Sequence, residues 1–348
     1  MKNNYQIIIA LFLINSLSLL AQEPKLILDK QGNFEMINWG IYTNCIDCKI
    51  TKAEETANSA QLKELAELFR KNPVLQDSKG FTSKVVLFHN YYGNKSDQYG
   101  IPCKMSIQFC YYFNFKSNTV KTATIEPPDF DLLINQLWTP MSDNMGFSGS
   151  NAVTDATNPK YDKKKQDLAA EKTHVFFFTP GKKENLAPGI DRYADETVII
   201  YDDSRPDYWI PATIKEIFES WIEFYEYEPN LYSSELSVKI LKDQYNKFSE
   251  EERNMTAYLG GRGEIPLLTV DTKVSDKQLM KANSLYWNKI RPRTDIQILS
   301  FNLLKDQKRY EREAEEALKH QGGEYHRIRF MAAFDLELFK NIQKFIRK

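Results

Sequence analysis

Residues Thr51-Lys52-Ala53-Glu54 constrain this chain more than any other stretch. A Thr hydroxyl that takes the amide three residues on, with a Glu there reaching back, is a capping box and fixes a helix start. Leu62, Leu65, Ala66 and Phe69 then recur at helical spacing, so one face of that helix is buried. Asn72-Pro73 ends it, because the residue before a proline avoids the helical region. Three strand-like runs follow. Residues 81–92 contain Lys84-Val85-Val86-Leu87-Phe88, and 102–115 alternate Met105, Ile107, Phe109, Tyr111 and Phe113 with more polar partners. Residues 121–138 hold Ala123, Ile125 and Leu132-Leu133-Ile134. Ahead of the helix, 25–38 reads as a hairpin: Leu26-Ile27-Leu28, a turn over Asp29-Lys30-Gln31-Gly32-Asn33, then Phe34 and Met36. A helix with one apolar face among consecutive strands buries that face against their sheet. The expectation is an α+β half, with an antiparallel sheet packed on a long helix.

That order, β-α-β-β-β, is similar to cystatin-like folds, and the resemblance implies architecture without function. Residues 139–172 change character, being rich in Ser, Asn, Asp, Lys and Gly, and read as a polar linker or long loop. A second, mixed α/β half starts at 173. His174 to Phe178 and Thr197 to Tyr201 read as strands. Pro211 opens an amphipathic helix bearing Ile214, Ile217, Phe218, Trp221, Phe224 and Tyr225. A helix with Leu236, Ile240, Leu241, Tyr245 and Phe248 follows. Ser249-Glu250-Glu251-Glu252 is a second capping box, with its helix ending at Gly260-Gly261. Ile265–Val270, Asp295–Leu303 and Tyr325–Ala333 read as strands, Asp306–His320 as a charged helix, and Asp335 as the cap of a terminal helix. The expected domains are 1–21 (leader), 22–138 and 173–348, joined by 139–172.

The leader follows from Met1-Lys2, the apolar run Ile7 to Ile14 and small residues up to Ala21, which together form a secretory signal with cleavage near Ala21. The run is too short to span a bilayer, and no later stretch is long enough, so the mature chain is expected to be exported without a transmembrane segment. A formal net charge of -1 gives no electrostatic case for nucleic acid.

Four cysteines carry the first chemical question. Trp39 precedes Cys45-Ile46-Asp47-Cys48, a helix follows, and Tyr99-Gly100-Ile101-Pro102 precedes a strand, which superficially resembles thioredoxin and implies a thiol oxidoreductase. The cap at Thr51 leaves Cys45 well upstream of the helix end whose field would activate it. Cys45 and Cys48 have zinc-ligand spacing. Cys103 and Cys110 fall on opposite faces of one strand and do not, so neither metal nor cofactor is expected. Export favours oxidised thiols, making Cys45, Cys48, Cys103 and Cys110 disulfide candidates of open connectivity.

Other candidates are thinner. His320 and His326 flank Glu324 without a zincin spacing, across Gly322-Gly323. Gly146-Phe147-Ser148-Gly149-Ser150 misses the nucleophile-elbow pattern by one residue. Asp202-Asp203 ends an interior strand, beside Tyr208-Trp209: paired carboxylates next to a sugar-stacking platform, or a polar turn and a staple for the next helix. The leading expectation is an exported, non-catalytic binding or structural module whose partner is a glycan or another exported protein. The alternative is a glycan-binding protein or glycoside hydrolase using Asp202, Asp203, Tyr208 and Trp209. A weaker alternative is the oxidoreductase.

Overall fold

Thr51 behaves as its sequence asks. Its hydroxyl accepts the Glu54 N–H at 3.2 Å, and the Glu54 carboxylate accepts the Thr51 N–H at 2.8 Å. The bond to the Thr51 backbone holds the Glu54 carboxyl below its ordinary range. The structure, a computed structural model, describes residues 25–41, 50–89, 99–114, 119–137, 141–145, 177–227, 234–261 and 267–347. The leader, Cys45, Cys48, the Gly146–Ser150 stretch and most of 139–172 lie outside these residues.

The first strands are β1 (Lys25–Ile27) and β2 (Phe34–Ile41), followed by helices α1 (Lys52–Arg70) and α2 (Pro73–Gln76). Strands β3 (Phe81–His89), β4 (Cys103–Asn114), β5 (Val120–Thr122), β6 (Asp129–Ile134) and β7 (Met141–Met145) come next. The second half adds β8 (Phe177–Pro180), β9 (Lys183–Ala187), β10 (Ile190–Tyr193), β11 (Thr197–Tyr201) and β12 (Trp209–Pro211). Then come α3 (Ile214–Tyr227), α4 (Ser234–Tyr245), α5 (Glu250–Arg253), β13 (Tyr258–Gly261), β14 (Leu267–Thr269), β15 (Met280–Ala282) and β16 (Ile298–Asn302). Helices α6 (Gln307–Lys319), α7 (Glu324–Ala332) and α8 (Leu336–Arg347) finish the described chain.

The result is a mixed α/β fold with a ten-stranded mixed sheet among the described residues, in the order β2-β3-β4-β6-β16-β11-β10-β9, with β1 and β5 also on β4. The expected hairpin over 25–38 does not form. β1 pairs antiparallel with β4, whereas β2 runs parallel to β3, Met36 opposite Val85. Gly32 explains the difference. Its N–H donates to Ser78 O, and a Cβ there would fall 1.8 Å from Phe81 O, so this segment lies against the start of β3 instead of turning back. The parallel β2–β3 pair also replaces the wholly antiparallel sheet expected around α1.

Strand alternation sorts three cores. Val198 and Ile200 of β11 join Leu62, Phe69, Phe330 and Ile342 beneath the helices, while Ile199 and Tyr201 face the other way. That second face is covered by a small sheet, ordered β12-β15-β8-β7. Its Phe178 packs with Ile199, Tyr208 and Trp209, and the adjacent Phe177 packs with Ile214, Phe218 and Leu241 of α3 and α4. The layers are therefore helices, large sheet, small sheet, helix pair. Strand β7 of the small sheet comes from the stretch read as a linker, and pairs with β8.

Three further expectations need correction. Pro211 does not open a helix. It ends β12, and Thr213 caps α3 through a capping box with Glu216, at 2.9 and 3.2 Å. The Ser249 box forms, yet α5 is one turn long, and Gly260-Gly261 lie in β13. The strand expected over 325–333 is instead helix Glu324–Ala332: Ile328 and Phe330 alternate like a strand, but nine residues are too few for alternation to settle the period.

The two halves meet where β6 pairs with β16, Ile134 opposite Leu299. Asn135, just beyond, is buried at φ 53°. Its N–H donates to Ile298 O, its Oδ1 accepts the Gln297 N–H at 2.7 Å, and its Nδ2 donates to Asp295 O at 2.9 Å and Ile101 O at 3.3 Å. Asn135→Ala strips the side-chain bonds and leaves buried backbone groups unpaired, each costing about 1–3 kcal/mol. It should lower unfolding free energy in urea by about 3 kcal/mol or more with an unchanged m value. A loss below about 1 kcal/mol would contradict this role for Asn135.

Candidate functional site

Asp202 and Asp203 leave the end of β11 as the sequence places them. Asp202 Oδ1 accepts from Ser204 N at 3.1 Å and Ser204 Oγ at 2.7 Å, and Oδ2 meets Arg205 Nε at 3.2 Å. Arg205 carries the turn inward, donating to Gln297 Oε1 and lying 5.6 Å over the Tyr286 ring. Asp203, by contrast, is exposed. Strand β11 also runs antiparallel to both neighbours, so no parallel-sheet carboxyl edge forms there.

Tyr208 and Trp209 are only 4% and 8% exposed. Trp209 meets Phe178 edge-on with centroids 4.7 Å apart, and Tyr208 meets Tyr201 at 4.8 Å. A sugar-stacking platform has to present a ring face to solvent, and these rings fill the core between the two sheets. They staple the small sheet to the large one.

Cys103 and Cys110 do fall on opposite faces of β4, both buried, and both are thiols rather than a disulfide. Cys103 Sγ accepts from Asn58 Nδ2 at 3.2 Å and donates to Ile101 O at 3.6 Å. Burial pushes the Cys110 thiol up from its ordinary value, away from reactivity. Cys45 and Cys48 lie outside the described residues. Among the described residues no group of three or more His, Cys, Asp or Glu side chains could hold a metal. His320 is exposed and pairs with Glu316 at 2.9 Å, Glu324 pairs with Arg327, and His326 is buried, so the three do not converge.

The titratable groups that do converge were missed in the sequence. Asp191 of β10, opposite Ile199, is fully buried. Its Oδ2 accepts from Tyr208 OH at 2.7 Å and its Oδ1 from Asn185 Nδ2 at 2.9 Å, while Lys183 Nζ lies 3.4 Å from Oδ2. Tyr193 and Tyr208 hydroxyls are 2.9 Å apart. A carboxylate only accepts, so Tyr208 donates to Asp191 and Tyr193 donates to Tyr208. Burial pushes the phenols of Tyr193, Tyr201 and Tyr208 up from their ordinary value, keeping them as protonated donors. The usable signal was the spacing of Asp191 and Tyr193, two polar-tipped residues on one face of a strand.

This network is a pin. It ties β10 of the large sheet to the segment that enters β12 of the small one. One surface hollow of about 350 Å³ is lined by Lys52, Glu55, Thr56, Ser59, Ala60 and Lys63. All six come from α1, so no second described element converges on it. Among the described residues, no helix is long and apolar enough to cross a membrane.

Tyr208→Phe removes the donor to Asp191 and the acceptor for Tyr193. It should destabilise by about 1.5–3 kcal/mol, as expected for a bond to a charged group. In a double-mutant cycle with Asp191→Leu, measured by urea unfolding, a coupling of about 1 kcal/mol or more is expected; strict additivity would show that the two groups do not act together. No protein-family model, no curated protein and no solved structure matches this chain.

Proposed function

We propose that the protein is an exported, non-catalytic binding or structural module, with a protein partner favoured over a glycan. The leader pattern of residues 1–21 supports export. The observation that carries the reading is the engagement of the polar groups nominated for chemistry. Asp202 orients a turn through Ser204 and Arg205, and Tyr208 serves Asp191 in the core.

The loop from Asn283 to Gln297 adds positive support. It is held from several sides: Asn283 Oδ1 accepts the Leu285 N–H, Tyr286 OH donates to Gln297 O, and Gln297 Oε1 accepts the Asn288 N–H. Tyr99 OH donates to Arg291 O, and Arg291 Nη1 donates to Ile346 O. On this fixed frame Leu285 is 78% exposed and Ile290 is 97% exposed. Aliphatic side chains displayed on a pre-organised loop suit a protein surface, because little ordering entropy is lost on docking.

The test is a binding screen against exported proteins and glycans of the source cell, with mass spectrometry of the recovered ligand. The reading expects saturable binding of a protein that is recovered chemically unchanged. Replacing Leu285 and Ile290 together by Glu should weaken it at least about tenfold, whereas Asp203→Ala binds as the unaltered chain does. Conversion of a glycan that disappears in Asp203→Ala would overturn the proposal and establish a hydrolase.

A further inference from the structure

His326 sits in α7, fully buried, and neither Nδ1 nor Nε2 meets a hydrogen-bond partner. Its ring lies 4.7 Å from the Phe81 ring and 5.3 Å from that of Tyr325. Gly80, at φ 87°, faces it from the turn before β3; a Cβ there would fall 2.7 Å from His326 Cε1 and 3.0 Å from the Ile27 carbonyl oxygen. A neutral imidazole brings one donor and one acceptor, and here both go unanswered. An aliphatic side chain would fill the same slot without that penalty.

Helix α7 is also the clasp between the ends of the described chain. Phe330 O accepts from Asn72 Nδ2 at 3.1 Å, and Gln321 Oε1, just before α7, accepts the Leu26 N–H of β1 at 2.7 Å. Gly323 packs so closely on Tyr111 of β4 that a Cβ would fall 2.1 Å from its ring.

We infer that His326 is an acid-release catch: α7 stays docked on β1, β3 and β4 while the imidazole is neutral, and comes away when the ring takes a proton. Among the described residues, no carboxylate meets either ring nitrogen. On its own helix stand Glu324 and Arg327, paired with each other at 2.6 Å toward solvent, Arg329, a cation, and Tyr325, over whose ring Arg329 lies at 5.4 Å. The β3 side presents Gly80 and Phe81, which do not titrate. β4 presents Tyr111, and the β1 side presents backbone, with Lys30 beyond it over the Tyr112 ring at 4.1 Å. Glu324 apart, whose carboxylate is taken by Arg327, none is a carboxylate. Burial, and then the Arg329 charge, push His326 down to about 4 from an ordinary 6.5. A released α7 binds the proton more tightly than a docked one. Docking is therefore complete above about pH 6.5 and weakens as pH falls toward about 4.

The experiment is hydrogen exchange resolved by segment at pH 7 and pH 4.5, expressed as protection factors, on the unaltered chain and on His326→Leu. In the unaltered chain, protection of residues 324–332 should fall about fifty-fold, as linkage gives for that displacement of the titration. The central strands β11 and β16 should keep theirs, and His326→Leu should lose the α7 response. An NMR titration of the His326 ring needs no variant and should show protonation near pH 4. Titration at the ordinary value, an equal response in His326→Leu, or loss spread evenly over the whole sheet would each overturn the inference.

Discussion

One buried amide, Asn135, joins the two halves of this protein. Its side chain bonds the backbones of Ile101, Asp295 and Gln297 at once, at the point where β6 meets β16. Each half alone would expose a strand edge rich in unpaired backbone groups. With that edge closed, Phe130 of β6 packs against Phe301 of β16 at 5.6 Å and Phe330 of α7 at 5.3 Å. The first half's helix and the last half's helices then share one apolar face.

That joint determines where polar groups can go. Once the large sheet has helices on one face, its other face needs cover, and the small sheet supplies it. Two sheets packed face to face bury the polar atoms between them, and a buried polar group without a partner is costly. Asp191, Tyr193 and Tyr208 do so as a directed chain of donors ending on a carboxylate. The arrangement is architectural.

What the sequence disclosed was local. Thr51, Ser249 and Asp335 all cap helices, because a cap is set by a few neighbouring residues. Thr213 carried the same pattern with Glu216, masked by the nearby Pro211. Pairing was far less legible. β1 and β2 looked like a hairpin because Gly32 resembles a turn glycine, when its service is a close approach to Phe81. The β6–β16 joint links residues far apart in the chain, which no local signal encodes. Tyr208 and Trp209 could be read as a platform or as a staple for the next helix, and no local signal pointed to the inter-sheet core where they lie.

The chain from β1 to α8 is expected to fold as one unit closed by the β6–β16 joint, despite the polar stretch between its halves. Differential scanning calorimetry tests this most directly. A single reversible transition, with calorimetric and van't Hoff enthalpies equal, is the predicted result. Two separable transitions, or a van't Hoff enthalpy about half the calorimetric one, would show two independent domains and contradict it.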